Sequence, residues 1–217
     1  MDKTLTQLFA KLPDPGRVPG MLNVWDLRVD YSRLRAIAQS GGVEWGACVV
    51  RSATPDRLVL DHEVPGKADA VSPGCPPGTH VPYLGFAHVH LPMDFAHGAI
   101  TVTIAYAGFS DRDYQGSLTD QERMSLVTNG DDVFAIVRTD RTPPITQFSA
   151  SDFDDWAWRY DNAIRQAKSD IIQSGATASA ALNRRLFAVN ESLCQLLQFG
   201  YYAGRWGAPL RLIYQPR

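Results

Sequence analysis

The adjacent prolines Pro143 and Pro144 mark a change in hydrophobic period, and that change restricts the fold more than any other feature of the chain. A proline interrupts helices and paired strands alike, so an element boundary belongs here. Upstream, apolar residues come in short β-branched runs separated by Gly, Pro and Asn. Downstream, from Asp152 to Gly200, they recur every three or four positions. A chain with both patterns belongs to the α/β class.

Upstream, strands are expected at Val43 to Val50, Arg57 to His62, Tyr83 to His90, Ala99 to Tyr106 and Val133 to Arg138. Asp30 to Ser40 reads as a helix. Asp30 caps it, Leu34, Ile37 and Ala38 make its apolar stripe, and Gly41-Gly42 stops it. Thr119-Asp120-Gln121-Glu122 has the form of a capping box and predicts a second helix from about Asp120 to Thr128. Pro65 to Pro82 holds five prolines and three glycines and reads as loop.

Downstream, Trp156, Tyr160, Ala163, Ile164 and Ala167 define one helix. Leu182, Leu186, Val189, Leu193, Leu196 and Leu197 define another, starting near Thr177 and broken by Gly200 and Gly204. Leu210 to Tyr214 reads as a terminal strand. The expected layout is an arm over 1–28, a mixed α/β domain over 29–148 and a mostly helical extension over 149–217 that packs on it. The extension is rich in aromatics and arginine. Packing accounts for most of these, and Gly200 to Trp206 is the piece best suited to a protein partner.

A net charge of −2 offers no electrostatic footprint for nucleic acid, and no run of like charge suits a membrane surface. No stretch has the ~18 apolar residues of a membrane span, and the first residues lack a secretory pattern. The expected location is cytoplasmic, or outside the cell by a route that needs no signal peptide. Cys48, Cys75 and Cys194 are odd in number and widely spaced, which argues against a disulfide framework and a cysteine-built metal site.

Chemistry concentrates at Gly85-Phe86-Ala87-His88-Val89-His90-Leu91-Pro92. Residues i and i+2 of a strand share a face, so His88 and His90 present two imidazoles side by side. That arrangement suits Zn2+, which as a catalytic ion takes about three protein ligands. The third is sought in Gly108-Phe109-Ser110-Asp111-Arg112-Asp113, where Ser110 and Asp113 share one helical turn. Serine followed by an acid three residues later is also an N-terminal cap. Asp111, Asp94 and His97 compete with Asp113 for the third position. Glu44 opens an apolar strand and is the candidate base; an edge charge facing water explains it equally. His62 and His80 lie in turn-rich surroundings and read as solvated.

Taken in order, a helix ending in Gly-Gly, a strand opening with Glu44, a His-x-His strand, Ser110-x-x-Asp113 entering a helix and a further buried strand resemble the JAB/MPN family with its JAMM metal motif. The resemblance covers about residues 30–140. It implies a cytidine-deaminase-like mixed β-sheet flanked by helices. It implies zinc on His88, His90 and Asp113, Glu44 as general base and Ser110 as oxyanion donor. The implied activity is cleavage of a peptide or isopeptide bond in a protein or peptide substrate, and the Gly-Phe-Ser-Asp-Arg-Asp form is similar to the branch found in bacterial toxins and effectors. Two departures stand out. Leu91 intervenes before Pro92, and nineteen residues separate His90 from Ser110 where the family has a shorter loop. The rival implication is a metal-free MPN-like scaffold or effector module that binds partners. Cupin, metallo-β-lactamase and amidohydrolase patterns fit the His-x-His pair less well.

Overall fold

A computed structural model describes residues 11–51, 58–67, 70–72, 74–75, 83–98, 100–104, 107–120, 122–174 and 178–216. Its centre is an eight-stranded mixed sheet. In chain order the strands are β1 (Met21–Leu22), β2 (Trp45–Arg51), β3 (Leu58–Pro65), β4 (Tyr83–Val89), β5 (Met93–His97), β6 (Ile100–Ile104), β7 (Met124–Asn129), β8 (Asp132–Val137), β9 (Gly200–Arg205) and β10 (Leu210–Tyr214). The large sheet runs β1-β10-β9-β8-β7-β4-β2-β3, and β5 and β6 form a separate hairpin. Four α-helices are described: α1 (Arg28–Gly41), α2 (Asp111–Thr119), α3 (Ala150–Ser174) and α4 (Ala178–Leu197).

Among the described residues only the β4–β7 pair is parallel. Parallel neighbours need a long crossover, and here it carries both the β5–β6 hairpin and α2. The crossover explains the long spacing between His90 and Ser110: the hairpin is inserted into it. Gly85 makes the parallel pairing possible. A Cβ at this position would fall on the Met124 carbonyl oxygen.

The strand alternation sorts the core into two layers. Ala87 and Val89 of β4 face one way, with Ala47, Val49, Leu126, Val133 and Ala135, and pack against Tyr31, Leu34 and Ala38 of α1. The other face carries Val127, Phe134, Ile136 and Tyr201 and meets Tyr114 and Leu118 of α2, Trp156 of α3 and Leu193 and Leu197 of α4. His88 pairs in register with Val127, so it belongs to this second, helix-covered face. Four leucines of α4, Leu182, Leu186, Leu193 and Leu197, are fully buried. Each contributes roughly 2 kcal/mol through the water-exposed area it removes.

Several expectations are corrected. Residues 120–128 do not form a helix: α2 ends at Thr119 with Asp120 as its C-cap, and β7 comes next. The working capping box is Ser110–Asp113, and Glu122 is a buried carboxylate rather than a cap. Asp30 does not cap α1, which begins at Arg28; its Oδ2 accepts from the Leu60 N–H at 3.3 Å. Cys48 and Cys75 form a disulfide, and Cys194 is free and buried. Gly200 to Arg205 forms β9, between β8 and β10, with Tyr201 and Tyr202 buried. The extension is thus helical only to Leu197, and its strands join the same sheet as β1 from the arm. Of the expected arm, residues 1–10 fall outside the described residues, as do Ala99, Ala105, Tyr106 and His80. His62 is exposed as expected. No helix among the described residues is long and apolar enough to cross a membrane.

Candidate metal centre

Strand β4 and helix α2 build the site. On β4, Phe86 and His88 point to one face and stack, with ring centroids 4.7 Å apart and planes 7° apart. His90, just past the strand, keeps the alternation, and its backbone N–H donates to the Thr128 carbonyl at 3.0 Å. Opposite His88 in the antiparallel register stands Gly46. A Cβ there would meet the Phe86 ring at 2.7 Å, so glycine lets this aromatic ring lie flat beside the histidine.

Helix α2 brings the carboxylate. Ser110 is its N-cap, and the Asp113 backbone N–H donates to Ser110 Oγ at 3.3 Å. Asp113 Oδ2 in return accepts from the Ser110 N–H at 2.7 Å and from its hydroxyl at 2.9 Å. The entry to α2 is fixed from the far end of the chain. Asn190 of α4, fully buried, accepts from the Phe109 N–H and the Tyr114 hydroxyl, both at 2.9 Å. Gly108, at φ +89°, leaves no room for a side chain against Asn190.

Three ligand atoms converge. His88 Nε2 lies 3.0 Å from His90 Nε2 and 3.3 Å from Asp113 Oδ1, and His90 Nε2 lies 3.7 Å from Asp113 Oδ2. Donors about 2.05 Å from a tetrahedral ion sit about 3.3 Å from each other. The spacing therefore fits a small metal ion held by His88, His90 and Asp113, which the structure groups as a buried set able to bind one. Chemistry agrees with geometry. Two imidazole nitrogens and a carboxylate all offer lone pairs to one point, and such a cluster needs a proton or a metal cation at its centre.

The electrostatics report the same demand. Burial pulls His88 down, yet the adjacent Asp113 carboxylate, with help from Glu44 and Glu122, raises it above its ordinary value. His90 is lowered to about 4 by burial and by the neighbouring His88 charge. Burial favours the neutral form of Asp113, but His88, His90 and the Ser110 N–H overcome it and hold the carboxylate well below its usual range. His88 Nδ1 is buried with no hydrogen-bond partner among the described residues.

Two of the three competitors stand apart from the cluster. Asp94 is exposed on β5 and accepts from Thr103 Oγ1 at 2.7 Å. Asp111 is not among the converging ligand atoms, and its half-buried carboxyl is raised mainly by desolvation. The backbone of His97 pairs with Ile100 at the tip of the hairpin; its side chain lies outside the described residues.

Glu44 is 8 % exposed and lines the same cavity as His90, Ser110 and Asp113. It is not an edge charge in open water. This cavity, about 1080 Å³, is walled by the segment after β3, by Tyr83 and Phe86, and by Tyr160 and Ile164 of α3. The helical extension thus lines the site.

Sequence reasoning misses Glu122. Its carboxylate accepts from the Tyr83 hydroxyl at 2.8 Å, from Ser117 Oγ at 3.0 Å and from Ser125 Oγ. It joins β4, α2 and β7, the elements around the metal centre, and burial pushes it up to about 6. Reading Ser125 to Thr128 as a β-branched strand would have moved Glu122 out of the helix cap and onto the sheet edge.

Comparison with protein-family models, curated proteins and solved structures returns no match.

Proposed function

We propose that this protein is a zinc-dependent hydrolase of JAMM type, cleaving a peptide or isopeptide bond, on a JAB/MPN-like sheet. The observation that carries the reading is the convergence of His88, His90 and Asp113 at tetrahedral ligand spacing beside a buried Glu44 in one cavity. When bound, zinc supplies a Lewis acid that polarises a carbonyl and acidifies water. Glu44, drawn out of bulk solvent, takes the proton of the attacking water and returns it to the leaving amine. Ser110 serves as oxyanion donor once its hydroxyl turns away from Asp113; while it points inward it holds that ligand in place. The cavity exceeds the usual range for a small ligand, about 300–1,000 Å³, and suits several residues of an extended peptide.

Zinc content and peptide hydrolysis test the reading together. Purified protein is expected to hold one zinc per chain. Glu44→Gln keeps that zinc and abolishes cleavage of a peptide library. Protein that takes up no zinc from a stoichiometric supply sinks the proposal and leaves a binding scaffold.

A further inference from the structure

The described residues between Pro65 and Cys75, Gly66, Lys67, Val71 and Cys75 among them, form one wall of the metal-site cavity, and three features tie them to Glu44 and β2. The Glu44 N–H donates to the Lys67 carbonyl at 2.7 Å, and the Gly66 N–H donates to the Glu44 carbonyl at 2.8 Å. Val71 sits over Gly46, its Cγ2 3.0 Å from where a Cβ would stand. The third tie is covalent, the disulfide from Cys75 to Cys48 in the middle of β2. Within the wall the Lys67 N–H donates to the Ala70 carbonyl at 2.7 Å. Gly66 is required there because a Cβ would strike Ala70 and Val71.

The wall and the candidate base are therefore one mechanical unit: the same segment that is stapled to β2 grips the backbone of Glu44 on both sides. The two sulfurs differ in access. Cys48 is 2 % exposed within the core, while Cys75 is half-buried and lines the cavity. A nucleophile arriving through the cavity meets Cys75 first.

We propose that Cys48–Cys75 is a thiol-exchange site at which a dithiol reductant unlocks this wall and releases Glu44 from its fixed position. In the exchange a reductant thiolate attacks Cys75 Sγ, the Cys48–Cys75 bond breaks, and Cys48 leaves as a thiolate that takes up a proton. The second thiol of the reductant then attacks the mixed disulfide, closes the reductant's own disulfide and frees Cys75 as a thiol. Two electrons and two protons pass to the protein, and the reductant is oxidised by the same amount. After reduction the wall still has, among the described residues, the Pro65–Trp45 strand pairing, the two main-chain bonds to Glu44 and the Val71 contact, but no covalent tie to β2. The metal ligands stand on β4 and α2, so the metal centre keeps its geometry while the base loses its own. The consequence for catalysis rests on the metallohydrolase reading; the latch itself does not.

Amide hydrogen exchange on the zinc-supplemented full chain, with and without a phosphine reductant, tests it. Thiol titration in denaturant tracks the reaction: the oxidised chain has one free thiol, Cys194, and the reduced chain has three. The expected result is exchange about tenfold faster at Glu44, Gly66 and Lys67, with α1 and β4 amides unchanged and the zinc content constant. The double variant Cys48→Ala/Cys75→Ala should reproduce it without reductant. Three free thiols with unchanged exchange at these amides overturn the proposal. Loosening of α1 and β4 to the same degree overturns it as well, by making the disulfide a staple of the whole fold. Absence of zinc overturns the metallohydrolase reading alone, because the exchange measurement stands without it.

Discussion

Asp113 faces His88 with one carboxylate oxygen and holds Ser110 with the other: Oδ1 lies 3.3 Å from His88 Nε2, and Oδ2 accepts from the Ser110 N–H at 2.7 Å. Helix capping and a position able to ligate a metal, two separate explanations of a Ser-x-x-Asp sequence, are here compatible in one side chain. The cap fixes the rotamer that aims the free oxygen at His88 and leaves the capping oxygen 3.7 Å from His90 Nε2.

Ser110→Ala should therefore do two things. Losing the cap costs about 1 kcal/mol of stability, and losing the hydroxyl, one of the two Ser110 donors that orient Asp113, lowers zinc affinity by up to about tenfold. Chemical unfolding and a competitive zinc titration measure the two separately. A cap loss with unchanged affinity would mean that Asp113 orients itself. Asp113→Ala should lose the metal and the reciprocal half of the capping box, while the residue-113 backbone N–H keeps its bond to Ser110 Oγ.

Zinc uptake should release a proton. In the metal-free site His88 is held above its ordinary value by Asp113 against the cost of burial, so at a pH below that raised value the ion must displace its proton. Below the raised value, each pH unit of acidification weakens zinc binding by about tenfold; above it the dependence vanishes. Calorimetry in buffers of different ionisation enthalpy counts the proton, and a count of zero contradicts the site electrostatics.

Glu122 has its own pH signature. Its folded pKa, near 6, lies above the ordinary glutamate value, because burial outweighs three hydroxyl donors. A raised carboxyl stabilises the fold below the unfolded pKa and loses that contribution as pH rises through the folded one. Relative to Glu122→Gln, the wild type should therefore lose ~2 kcal/mol between about pH 4.5 and 6. Paired urea titrations across this range read the difference directly. Parallel curves would place Glu122 in a more polar setting than its burial indicates.

Gly85→Ala should be among the most damaging single changes in the chain. The added methyl falls on the Met124 carbonyl oxygen, in backbone that cannot swing aside without breaking the parallel β4–β7 pair. A loss of about 4 kcal/mol is expected, the size reserved for named structural failures. Gly46→Ala is the control. There the obstacle is the Phe86 ring, which can shift, and the cost should stay near 1–3 kcal/mol. Equal stabilities in urea for the two variants would mean that β4 and β7 have slack.

Local periodicity was enough for part of this protein. The alternation of a strand puts His88 and His90 on one face, and one helical turn joins Ser110 to Asp113; both arise from backbone geometry within a few residues. The helices α3 and α4 and the terminal strand β10 are legible for the same reason. Tertiary structure alone decided the rest. Nothing local tells that β7 lies parallel to β4, which swings α2 over the histidine face and makes Asp113 the converging carboxylate. Thr119 to Glu122 satisfies a capping pattern, yet the pull of a buried sheet draws Met124 to Asn129 into β7 and turns Glu122 inward. Cys48 and Cys75 are 27 residues apart and meet only because the wall segment folds back across β2. Tyr201 and Tyr202 look like surface aromatics until β9 inserts between β8 and β10. In each case the deciding contact joins residues far apart in sequence, and its free energy comes from burial and strand pairing, which short-range patterns do not carry.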